Sequence, residues 1–156
     1  MVDAPLERVW RLFHPKPPPD STPPRLFEHP GGTVEILFDG DRAGQGLVRT
    51  CTFKVPRYLL SGGKARSWEV VIEAREHEMA RYRAVGKPLW SQVEGWHTLE
   101  RLADGRTRLT FVETYHAHNP LLRLLFEGSV HRFISRDNDR VYESLLAMLG
   151  PVTRER

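Results

Sequence analysis

The sequence predicts an α+β fold in which an antiparallel sheet is covered on one face by a long C-terminal helix, and three observations lead there. Between Pro120 and about Leu149, the residues Leu122, Phe126, Val130, Phe133, Val141, Leu145 and Met148 recur at three- and four-residue steps, one side of a 3.6-period helix. The middle of the chain is a succession of strand-length runs rich in β-branched and aromatic residues, separated by glycine-containing turns. Helical patterns bracket these runs instead of alternating with them, which favours an antiparallel sheet over a parallel one.

At 156 residues the chain is expected to form one domain spanning residues 1–156, large enough to bury a core without staples. A single cysteine, Cys51, cannot form an internal disulfide and suits a reducing compartment. No apolar run approaches the roughly 20 residues that span a bilayer, and the N-terminus lacks a signal-peptide core. A soluble, cytoplasmic protein with no membrane span is therefore expected. The formal charge is +3, but the arginines alternate with Glu and Asp instead of clustering, so no nucleic-acid partner is expected.

Taken in order, Leu6, Val9, Trp10 and Phe13 mark one face of a short helix, with Asp3 placed to cap it and Pro5 suited to its first turn. From His14 to Pro30 seven of the twelve prolines crowd together, so an extended connection is expected there, with at most one turn around Arg25 to His29. Six strands follow: Thr33 to Phe38, Leu47 to Val55, Arg66 to Ala74, Met79 to Val85, Gln92 to Leu102 and Arg106 to Ala117. Gly44-Gln45-Gly46 lies between two strands and not between a strand and a helix, so it reads as a bend and not as a phosphate cradle. Gly86-Lys87-Pro88 ends the fourth strand, and Asn119-Pro120 and Gly150-Pro151 bound the long helix.

The long helix spans roughly 45 Å. Asp137 interrupts its apolar face, four residues after Phe133 and four before Val141. A carboxylate there either borders a polar, hydrated space or sits at the edge of a shallow groove.

The order of elements and several phrases resemble the START-like, polyketide-cyclase and lipid-transfer superfamily. The phrases are Val2-Asp3-Ala4-Pro5-Leu6-Glu7-Arg8-Val9-Trp10, Gly44-Gln45-Gly46-Leu47-Val48-Arg49 and Asp104-Gly105-Arg106-Thr107-Arg108-Leu109-Thr110. The resemblance implies a helix-grip fold, a curved sheet of about six or seven strands wrapped on the terminal helix with a cavity between them. It also implies a small hydrophobic or amphipathic ligand of lipid, polyketide or isoprenoid type, with no cofactor and no metal. The family has a complete strand before its Ala-Pro step, whereas only Met1 to Asp3 precede it here. That strand is either vestigial, leaving a sheet edge to be covered or to pair in a homodimer, or the chain start is not the natural one.

Strand alternation selects the residues that would face such a cavity. Leu109 and Phe111 carry Glu113 and Tyr115 inward with them, and Cys51 and Phe53 carry Arg49. Trp68, Val70 and Ile72 form the apolar side of their strand, opposite Glu69 and Glu73. For the strand before the last hairpin, a three-residue turn over Ala103 to Gly105 brings His97 inward, whereas a two-residue Asp104-Gly105 turn brings Trp96, Thr98 and Leu102. The ligand-binding candidates are Arg49, Cys51, Trp68, Ile72, Tyr82, His97, Phe111, Glu113, Tyr115, Phe133, Asp137 and Val141. Two readings of the polar members stand. In one, His97 or Glu113 is a general base and Tyr115 or Arg49 stabilises an oxyanion, the chemistry of a cyclase or aromatase. In the other, Arg49 pairs structurally with Asp137 or Glu113, and the cavity only binds. A third possibility for the whole chain is an interaction module with a filled core. His116 and His118 lack a third ligand at matching spacing and read as solvent-facing, and Arg136, Asn138, Asp139 and Arg140 read as an ion-pair face.

Overall fold

Seven strands pair in sequence order to form one antiparallel sheet in the computed structural model, which describes residues 1–15, 20–29, 32–59, 62–86 and 89–149. The strands are β1 (Arg25–His29), β2 (Gly32–Phe38), β3 (Val48–Lys54), β4 (Lys64–Arg75), β5 (Met79–Gly86), β6 (Ser91–Arg101) and β7 (Thr107–Ala117). A short helix, α1 (Leu6–Phe13), precedes them and a long one, α2 (Pro120–Ala147), follows, so the architecture is the α+β helix-grip. Parts of the expected proline-rich connection and the Lys87-Pro88 and Gly150-Pro151 stops lie outside the described residues. No helix among the described residues is long and apolar enough to cross a membrane.

One expected element changes. Arg25 to His29, anticipated as at most a helical turn, is the edge strand β1, with Arg25 opposite Ile36 and Glu28 opposite Thr33. Its five residues show little alternation, and pairing with β2 supplies the backbone hydrogen bonds that fix it as a strand.

Helix α1 buries Leu6, Val9 and Trp10, as its spacing requires. Its start is not capped by Asp3. The N-cap is Pro5, whose carbonyl accepts from Arg8 N–H at 2.9 Å and Val9 N–H at 3.1 Å. Before it, Val2 makes one antiparallel bridge to Thr107 at the edge of β7, with N–H to O distances of 2.9 and 3.0 Å. Thr107 Oγ1 also donates to the Ala4 carbonyl at 2.7 Å, so this single-residue bridge is tied by both backbone and side chain.

Helix α2 is capped by Asn119, whose Oδ1 accepts from Leu121 N–H at 2.9 Å and Leu122 N–H at 3.1 Å, and Pro120 occupies the first turn. Val130 and Leu146 are its buried residues, and they lie in two different apolar clusters. Val130 packs with Val55, Leu59, Ala65, Leu89, Tyr115 and Ala117, whereas Leu146 packs with Val2, Ala4, Leu6, Val9, Trp10, Ala80 and Leu99. At about 100° per residue these two positions are far apart around the helix, so its buried side changes along its length. This is why Met148, on the expected stripe, is instead 69% exposed. The buried core is thus split into two clusters at different points along the helix.

Replacing Asn119 by alanine is expected to lower stability by about 1 kcal/mol, because two amide donors lose their acceptor. A melting temperature unchanged in a calorimetric scan would show that the cap contributes nothing.

Candidate functional site

Between the two apolar clusters lies a cavity of about 890 Å³, bounded by the inner face of the sheet, α2, the end of α1 and the β2–β3 loop. Its sheet wall includes small residues, Ser67, Ala80, Ala84 and Ser91 among them, which leave room beside the larger side chains. Most candidates converge there. Arg49, Cys51, Tyr82, His97, Phe111, Glu113, Tyr115, Phe133, Asp137 and Val141 all line it, while Trp68 and Ile72 do not.

The β4 assignment is therefore reversed. Ala65, Ser67, Glu69 and Val71 face inward, and Trp68 is 51% exposed with the Arg66 guanidinium over its ring at 5.4 Å. Ile72 sits at the register irregularity between Val71 and Glu73. Apolarity misleads on this strand because its inner face carries Glu69, which meets Arg49 at the cavity wall.

That meeting replaces the pairing expected of Arg49 with Asp137 or Glu113. Arg49 Nε donates to Glu69 Oε2 at 2.8 Å, and Ser67 Oγ donates to Glu69 Oε1 at 3.1 Å. Burial opposes the charge on both groups, yet each ion outweighs it for the other: the guanidinium is held above its ordinary pKa and the carboxyl below. Burial pushes the nearby Cys51 thiol up, so it is protonated and unreactive at neutral pH.

The last hairpin takes the three-residue turn. Leu99 lies opposite Leu109 and Gly105 is left-handed at φ +82°, where a side chain would be strained. His97 is consequently inside, its Nε2 3.0 Å from Nε2 of His14, which stacks on Trp10 with ring centroids 4.0 Å apart. Burial, with His97 and Arg49 nearby, drives the His14 pKa down to about 3. Burial and Arg49 drive that of His97 down to about 4. Both imidazoles are neutral at physiological pH, and one donates to the other.

A third polar group crosses three strands. Tyr82 on β5, Gly95 on β6 and Glu113 on β7 are consecutive partners across the sheet. A Cβ at Gly95 would sit 2.4 Å from the Tyr82 ring, so the missing side chain is the notch through which the phenol reaches Glu113 and donates to Oε2. Asn138 Nδ2 donates to the other carboxylate oxygen at 3.2 Å. Burial raises the Glu113 pKa, against the lowering effect of those two hydrogen bonds.

Among the lining residues that were not candidates are His14, Glu69, Tyr142 and Asn138, the last expected on an ion-pair face and found instead on Glu113. Asn138 and Tyr142 each directly follow a residue already singled out, Asp137 and Val141, and an inner helix face of ordinary width includes all four. Tyr142 packs on Phe111 at 4.7 Å and Phe13 at 5.1 Å, and burial raises its pKa. His14 lies one turn beyond Trp10, at i+4, a signal that was available. Asp137 is half-buried on the cavity side, while Arg136, Asp139 and Arg140 are exposed. His116 is exposed on β7 and bonded to Arg123 Nη1 at 2.8 Å.

No protein-family model matches the chain, and no curated protein matches it. Solved structures do. A structural-genomics protein from Chromobacterium violaceum aligns over 97% of this chain and 93% of its own, with a TM-score of 0.57 and 20% identity. Another from Rhodobacter sphaeroides aligns over 96% and 87%, with a TM-score of 0.58 and 18% identity. At these identities the likeness is one of fold.

Two measurements test the site. Gly95→Ala should cost about 2 kcal/mol in urea unfolding, through displacement of Tyr82 from Glu113, and much less in a Tyr82→Ala background. Equal costs in both backgrounds would remove the notch from the account. The histidine pair sets a pH dependence. Unfolding returns each imidazole to a pKa near 6.5, so below that pH the unfolded chain takes up protons that the folded chain refuses. Stability should fall on acidification from about pH 6.5 towards pH 4, by up to about 1.4 kcal/mol per pH unit for each imidazole. Glu113, raised by burial, acts in the opposite sense, so the comparison is with His97→Gln, which should flatten the slope. An identical slope in the variant would contradict the burial of a neutral pair.

Proposed function

We propose that the protein binds a small hydrophobic or amphipathic molecule of lipid, polyketide or isoprenoid type between the sheet and α2, as a member of the START-like superfamily. The observation that carries this reading is the cavity of about 890 Å³, lined by Phe111, Phe133, Tyr82 and Tyr142 and polar at a few points. Ligand sites span about 300–1,000 Å³ and combine apolar walls with a few convergent polar groups. An interaction module with a filled core has no use for such a space.

Binding is favoured over cyclase-type catalysis by the state of the candidate bases. Both oxygens of Glu113 already accept protein hydrogen bonds, and His97 is engaged with His14. Each Glu113 oxygen keeps a second lone pair, but the two hydrogen bonds lessen its pull on a proton, and burial holds His97 at a pKa of about 4, a weak base.

The test is native mass spectrometry of the protein purified from its own host, followed by organic extraction. An extractable apolar adduct is expected, and Val141→Trp, which fills the cavity from α2, should lower its retention about tenfold. A bare chain that also fails to bind the neutral dye Nile red would overturn the proposal.

A further inference from the structure

We propose that the cavity selects an uncharged ligand whose polar end is a carbonyl oxygen, and that Glu69 is the specificity residue that turns carboxylates away. This inference rests on the reading of the cavity as a binding site and names the class of molecule it takes.

The cavity has donors to offer but no spare positive charge. Arg49 uses Nε on Glu69, and its terminal nitrogens have no protein acceptor among the described residues. The Tyr142 hydroxyl, on the opposite wall, likewise has no protein partner there. These groups can donate to an acceptor oxygen. Each guanidinium lining the cavity, however, already has a carboxylate: Arg49 has Glu69 at 2.8 Å, Arg42 has Glu76 at 3.4 Å and Arg25 has Asp39. Two imidazoles meeting Nε2 to Nε2 at 3.0 Å need one bare nitrogen to accept, so the pair cannot be doubly charged. Their burial keeps both neutral at pH 7.

Glu113 and Asp41 then add carboxylates to the lining, and neither is in an ion pair among the described residues. A carboxylate entering this space loses its hydration and finds no uncompensated counter-ion, whereas a ketone or ester loses little and gains donors. Without Glu69 the same Arg49 would be a free buried cation, a carboxylate receptor. One side chain therefore decides the sign of the preference.

Displacement of Nile red at pH 8 by decanoate, methyl decanoate and 2-undecanone measures this. In the unaltered protein the ester and ketone should bind at least about tenfold more tightly than the acid. Because any apolar site disfavours an anion, the deciding variant is Glu69→Gln. It should raise decanoate affinity at least about tenfold and leave 2-undecanone within about threefold. Decanoate binding as tightly as the ester in the unaltered protein, or unimproved in a folded Glu69→Gln that still binds the ketone, overturns the inference and spares the binding site. If Glu69→Gln does not fold by circular dichroism, Tyr142→Phe decides. It should weaken 2-undecanone about threefold and leave decane unchanged, and no change in the ketone overturns the inference. Failure of Nile red and every neutral competitor to bind the unaltered protein brings down the binding site and the inference together.

Discussion

The structure depends on a divided core. Helix α2 buries Val130 and Leu146 in separate clusters, and between them Asn138 and Tyr142 reach across the edge of the cavity to Glu113 and Phe111. A helix buried along one continuous stripe would have closed on the sheet. Because the buried side shifts along α2, its two buried residues sit in different company and the stretch between them borders the cavity. The sheet contributes to the same result with the small residues in its wall, which a continuous core would have replaced with leucine and phenylalanine.

An interior of this kind tolerates charge only by pairing it. Each polar group that enters the cavity from the sheet meets a partner from another element: Arg49 on β3 with Glu69 on β4, Tyr82 on β5 with Glu113 on β7 and Asn138 on α2, His97 on β6 with His14 after α1. Such pairs add little net stability, because the cost of removing both groups from water is close to what their attraction returns. Their effect is positional. They set which oxygen, nitrogen or ring edge is presented to the space and which is already occupied.

The sequence made the architecture legible wherever pattern and burial agree. Alternation on β7 placed Phe111, Glu113 and Tyr115 on one face, and the spacing of α1 identified Leu6, Val9 and Trp10. On β4 the two diverged. Trp68, Val70 and Ile72 are the apolar set, but a strand over a cavity can turn its charged side inward when a partner waits there, and Glu69 finds Arg49. That partnership joins positions twenty residues apart and leaves no local trace. The same limit hid β1, whose strand character comes from pairing with β2, and hid the contact between His14 and His97, which depends on where α1 ends relative to β6. For β6 itself, two hairpin turns are compatible with the residues, and the register that sets Leu99 opposite Leu109 distinguishes them.

The solvent face of the sheet has a different character from the interior. Glu35, Thr50 and Arg66 bond in a row across β2, β3 and β4, and Glu94 on β6 receives both Arg81 and Arg83 from β5. Singly, exposed ion pairs contribute less than about 1 kcal/mol. Repeated from strand to strand, they brace the sheet from outside, so its curvature does not wait on what occupies the concave side. The cavity walls are thus held by the protein's own bonds, and a ligand of the kind proposed would not have to spend its interactions on assembling them.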